Sequence, residues 1–66
     1  MDANEITTQI KLVMDTFGMT AVKAAEVMGI PYGQFRKKIL AMPGRNFTAV
    51  NLHDLVKYIK AKADAL

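Results

Sequence analysis

At 66 residues the chain makes one domain, near the smallest size that folds without a metal or disulfides, and its lack of cysteine excludes a disulfide framework and a cysteine zinc site. An apolar content of 52% argues against disorder, and no apolar run approaches the roughly 20 residues of a membrane span. The formal net charge of +3 is modest but uneven: Arg36, Lys37, Lys38 and Arg45 lie between Val27 and His53 with no acid among them. Asp2, Glu5, Asp15, Glu26, Asp54 and Asp64 all fall outside that window. A basic centre of this kind is the footprint of a nucleic-acid-binding face, with a solvated charge run as the bland alternative. No signal peptide is visible, so a soluble cytoplasmic protein is expected.

Ile6, Ile10, Val13, Met14 and Phe17 form one stripe on a 3.6-residue period, which predicts a first helix over about residues 4–17. Asn4 is its expected N-cap, Glu5 suits the positive end of the helix dipole, and Gly18 ends it as a left-handed residue. A second helix follows Met19 with Thr20 as N-cap, and Ala21, Ala24, Ala25 and Met28 make its inner face. Ala24 and Ala25 are small where two helices must approach, and Gly29 is the expected positive-φ turn residue.

Pro31 suits the first position of a third helix, over about residues 32–41, because its missing N–H would be unpaired there in any case. Within it Phe35 and Ile39 face inward, while Tyr32, Arg36 and Lys37 point elsewhere. Met42-Pro43-Gly44-Arg45-Asn46 is a break. The last helix is expected from Asn51 to about Ala63, with Leu52, Leu55, Val56 and Ile59 inward and Asn51 and Asp54 resembling a capping box. The stretch 47–52 stays open. Its alternation and β-branched residues allow a short strand, whereas Thr48 allows an earlier helix start; the helical form is preferred because the alternation is so short.

A short apolar-faced helix, a glycine turn and a second helix bearing three adjacent cations is how a helix-turn-helix looks in sequence. Ile10 to Thr20, followed by Ala24-Ala25-Glu26-Val27-Met28-Gly29, is similar to the opening of Cro/CI-type bacterial and phage regulators. The run Asn51 to Ala61 resembles the helix that closes their core, and Phe17-Gly18, Gly29, Phe35, Ile39 and Gly44-Arg45 look most like the small phage Cro repressors. The resemblance covers about residues 6–63. It implies an all-α, lambda-repressor-like DNA-binding fold of four to five helices over residues 1–66. There are two departures: Ala21 stands where many relatives carry Gln, and Lys38 where many carry an apolar residue.

The resemblance further implies a sequence-specific transcriptional regulator in a bacterial host cell, a phage or prophage repressor that sets its third helix in the operator major groove. Tyr32, Gly33, Gln34, Arg36 and Lys37 would read bases, with Arg36 and Lys37 donating to guanine O6 and N7 and Gln34 pairing with adenine. Tyr32 is alternatively a half-buried packing aromatic. Thr20, Lys23, Lys38, Arg45 and Asn46 would contact phosphates, fixing register without reading sequence. Gly33, costing roughly 1 kcal/mol relative to Ala inside a helix, allows close approach either to DNA or to a neighbouring helix.

So small a domain makes few base contacts, so double-stranded operator DNA and a homodimer, at least on DNA, are the expected partners. Leu40, Met42, Phe47, Val50 and Tyr58 are candidates for the dimer contact or else complete the core. His53 is the only histidine and reads as a first-turn helix residue, so no metal is expected. No nucleophile–base pair is apparent, and neither enzyme activity, cofactor, small-molecule ligand nor membrane is expected. Two other functions stay open: a protein-binding module such as an antirepressor or antitoxin, mildly favoured by Ala21 and the modest charge, and a non-specific architectural DNA binder.

Overall fold

The computed structural model describes residues 2–65 and contains α1 (Ala3–Phe17), α2 (Ala21–Met28), α3 (Tyr32–Ile39) and α4 (Ala49–Asp64), with no strand among them. The domain is all-α, and α2 and α3 form its helix-turn-helix unit. Within the stretch 47–52, residues 49–52 are helical and Phe47 and Thr48 lead into them, so the helical alternative holds and no strand forms.

The starts of α1 and α4 differ from expectation for one shared reason. Each has two cap-forming residues in reach, and the earlier one is used. Asp2, not Asn4, caps α1: its extended backbone lets the carboxylate Oδ1 accept from the Glu5 N–H at 2.8 Å. A carboxylate at the positive end of the dipole also gains charge stabilisation that the Asn4 amide lacks. Thr48, not Asn51, caps α4. Its hydroxyl accepts from the Asn51 N–H at 3.3 Å, and Asn51 Oδ1 accepts from the Thr48 N–H at 2.9 Å. The reciprocal pair is a capping box, so Asn51 is its third helical residue and Asp54 plays no part in it. Phe47, just before the cap, is 2% exposed, and its burial fixes where the chain enters α4.

Pro31 is the residue before α3 rather than its first, with ψ 141° and its carbonyl accepting from the Phe35 N–H at 3.0 Å. The fixed proline φ serves this position as well as the next. α1 and α2 both close on a left-handed glycine. Gly18 (φ 63°) donates to the Asp15 carbonyl while Met19 donates to Met14, and Gly29 (φ 69°) donates to Glu26 while Ile30 donates to Ala25. These are Schellman motifs, in which the glycine suffers no Cβ clash.

α3 ends at Ile39, short of residue 41, by the same pair of bonds. Ala41 donates to the Lys38 carbonyl at 3.0 Å and Met42 to the Lys37 carbonyl at 3.1 Å. Here the left-handed residue is Ala41 (φ 55°), whose Cβ makes that conformation costly. Ala41→Gly is expected to stabilise the domain by about 0.5–1 kcal/mol, visible as a melting temperature about 3–6 °C higher by circular dichroism. An unchanged or lower melting temperature would contradict the strain at this residue.

The core comprises Ile6, Ile10, Ala24, Ala25, Met28, Phe35, Phe47 and Leu55. Ala24 and Ala25 are 0% and 2% exposed, as close helix approach requires. Phe35 and Phe47 meet edge-to-face, with centroids 5.4 Å apart and planes at 62°. That contact ties α3 to the segment entering α4. The inward stripe of α1 fails at one end. Phe17 is 60% exposed because burial on α1 is concentrated at Ile6, Thr7 and Ile10, with Val13 and Met14 only partly covered. Buried Thr7 keeps its hydroxyl satisfied by donating to the Ala3 carbonyl at 3.0 Å.

Candidate nucleic-acid interface

α3 has one fully buried residue, Phe35, with Ile39 and Lys38 half-buried beside it. At 3.6 residues per turn, Phe35 and Ile39 define the inward side, which leaves Lys37 and Gly33 facing away from the core. Gln34 lies beside that outward face and Arg36 on its opposite flank, whereas Tyr32 falls next to Ile39 on the inward half of the helix. All five candidate base-reading residues are exposed, with Gly33, Gln34 and Lys37 on the outward face, Arg36 at its edge and Tyr32 apart from them. Tyr32 is 46% exposed, so about half of it is covered, as its alternative role as a half-buried packing aromatic requires.

Electrostatics follow from the same helix. α3 carries Arg36, Lys37 and Lys38 in its last turn and no acidic residue anywhere. The cations sit at the negative end of the helix dipole, where they are locally favourable, while their charged ends remain in water. Lys38, three residues after Phe35, is half-buried, a position in which a lysine can cover apolar surface with its stem and keep its ammonium in water.

The remaining candidate phosphate contacts divide into two groups. Arg45 and Asn46 are exposed in the segment leaving α3, and the Arg45 N–H donates to the Met42 carbonyl at 2.9 Å. Thr20 caps α2, its hydroxyl oxygen accepting from the Lys23 N–H at 3.2 Å, which leaves the hydroxyl proton to donate elsewhere. Lys23 is engaged within the molecule. Its Nζ lies 3.6 Å from Glu26 Oε1 and 5.3 Å from the centroid of the Tyr58 ring on α4. Tyr58 first, and the Glu26 carboxylate second, hold its pKa above the ordinary lysine value.

Sequence reasoning missed the arrangement around Tyr58, whose ring also has Lys62 Nζ at 5.7 Å. The Tyr58–Lys62 spacing of one helical turn carried that signal; the Lys23 contact is tertiary and left none. Among the dimer candidates, Phe47 belongs to the core and Tyr58 is half-buried between the two lysines. Leu40, Met42 and Val50 remain open, at 65%, 45% and 65% exposed.

Gly33 separates two sequence alternatives. A Cβ placed there would meet no atom within 4 Å, so no neighbouring helix requires the glycine. His53 is exposed, with Nδ1 3.9 Å from Asp54 Oδ1, and among the described residues no three His, Cys, Asp or Glu side chains group to hold a metal. No described helix is long and apolar enough to cross a membrane. No family model, curated protein or solved structure matches the chain.

Proposed function

We propose that the chain is a sequence-specific DNA-binding transcriptional regulator, a Cro-like repressor of phage or prophage origin acting in the bacterial cytoplasm. The observation that carries this is α3. It is the second helix of a helix-turn-helix, anchored by a fully buried phenylalanine, with five exposed candidate readers and cations unopposed by any acid on the helix.

An α-helix with its side chains is about 10–12 Å across, which fits the roughly 12 Å width of the major groove. Arg36 and Lys37 present donors to guanine O6 and N7, and Gln34 offers the donor–acceptor pair that adenine N6 and N7 match. Lys38, Arg45, Asn46 and Thr20 supply the phosphate contacts that hold the helix in register. Lys23 joins them only by giving up its place between Glu26 and Tyr58. One helix reads too few bases for useful specificity, so two protomers occupy an inverted repeat.

Four cations, Arg36, Lys37, Lys38 and Arg45, serve this surface. If each neutralises a phosphate, the slope of log K against log salt is expected near about −3 to −4 per protomer. A fluorescence-anisotropy titration of duplex DNA across a salt series measures it. Binding that is absent, or insensitive to salt, contradicts the proposal.

A second function, docking onto a partner protein, is favoured by one observation: Leu40 and Met42, exposed at the exit of α3, and Val50, in the first turn of α4, offer apolar surface. Such docking would not depend on the charge of Arg36 and Lys37.

A further inference from the structure

We infer that Gly33 is the point where the α3 backbone itself comes into contact with duplex DNA, making it a specificity-determining residue by having no side chain. This rests on the operator-binding function proposed for α3. Three observations carry it. First, Gly33 is helical and not left-handed, unlike Gly18, Gly29 and Gly44, so its backbone conformation does not call for glycine. Second, nothing lies within 4 Å of the position a Cβ would take, so packing does not call for it either.

Third, the glycine faces outward with Lys37, between Tyr32 and Gln34, on the surface that carries the cations. A glycine weakens the helix that holds it, and neither fold nor turn geometry compensates here. The remaining use for a missing side chain is space for a bound molecule. With Arg36 and Lys37 on the same helix and no acid, the molecule that fits that space is a polyanion whose groove wall comes close to the backbone. A partner protein's helix would use the space as well, but nothing in three adjacent cations helps to bury it.

The experiment compares the wild-type protein with Gly33→Ala and Gly33→Leu, using a duplex recovered from a random library with the wild-type protein. Melting temperature, affinity and salt dependence are measured for all three. The melting temperature of Gly33→Ala is expected to rise by about 2–5 °C, since alanine is the better helix former and enters open space. Affinity for the duplex is expected to fall about tenfold to a hundredfold with alanine, the cost of forcing one methyl into a packed contact, and further with leucine. The salt slope should stay that of the wild type, because no charge changes.

A Gly33→Ala protein that binds the selected duplex as tightly as wild type would overturn the inference and leave the DNA-binding function standing. A lower melting temperature would show that the fold needs the glycine and would overturn it too. Failure of the wild-type protein to enrich any duplex would sink the DNA-binding function and this inference with it.

Discussion

Reversing Arg36 and Lys37 together, as Arg36→Glu and Lys37→Glu, is expected to eliminate measurable operator binding while the protein remains folded. Both side chains are exposed, and among the described residues neither takes part in an ion pair. Each base contact of this kind discriminates by about 1–3 kcal/mol, and a dimer carries four altered side chains. Reversal also adds repulsion from the phosphates, so a loss beyond about a thousandfold is expected. The folding cost is small by comparison. Acids near the C-terminal end of α3 oppose its dipole, at about 0.3–1 kcal/mol each, so the melting temperature drops by about 2–16 °C. Anisotropy and circular dichroism on the same sample separate the two effects. Retained duplex affinity would exclude α3 as the reading helix.

Phe35→Ala is expected to remove about a third or more of the domain's stability. Phe35 is fully buried and makes the edge-to-face contact with Phe47 that joins α3 to the start of α4. Truncating a buried phenylalanine costs about 3–5 kcal/mol, and a chain this short has a total stability of only about 3–10 kcal/mol. The melting temperature should fall by more than about 15 °C in thermal unfolding. A drop of only a few degrees would mean that Phe35 does not anchor α3. The same residue thus sets both the stability of the domain and the orientation of α3.

Helix identity was legible in the sequence because the core is built from periodic positions. Ile6 and Ile10, Ala24, Ala25 and Met28, Phe35, and Leu55 all fall on the faces their spacing assigns. Gly18 and Gly29 were legible too, since only a left-handed turn makes glycine useful after a helix. Helix starts were harder. Asp2 competes with Asn4, and Thr48 with Asn51, and all four residue types form good caps. Thr48 gains a reciprocal bond from Asn51, and Phe47 before it reaches the core; the second depends on Phe35, far away in sequence.

For the candidate interface, the outward positions of Gly33, Gln34 and Lys37 could be read from the position of Phe35 alone. Lys23 could not. It looked like one more surface cation, and its engagement with Tyr58 depends on how α2 and α4 pack. Gly33 was ambiguous for a similar reason, because spacing cannot say whether a neighbouring helix stands beside it. Ala41 carried no sequence signal of its own: an alanine after a helix normally extends it, and only the paired bonds to Lys37 and Lys38 reveal the left-handed turn.

The most direct test is selection of the wild-type protein on a random duplex library, followed by affinity for the enriched sequence against a scrambled one at two salt concentrations. For an operator-binding dimer we expect an inverted repeat whose half-sites lie about one helical turn apart, bound in preference to the scrambled duplex and more weakly at high salt. Equal affinity for both duplexes would mark a non-specific DNA binder. No enrichment and no salt-sensitive binding would contradict DNA as the partner of α3.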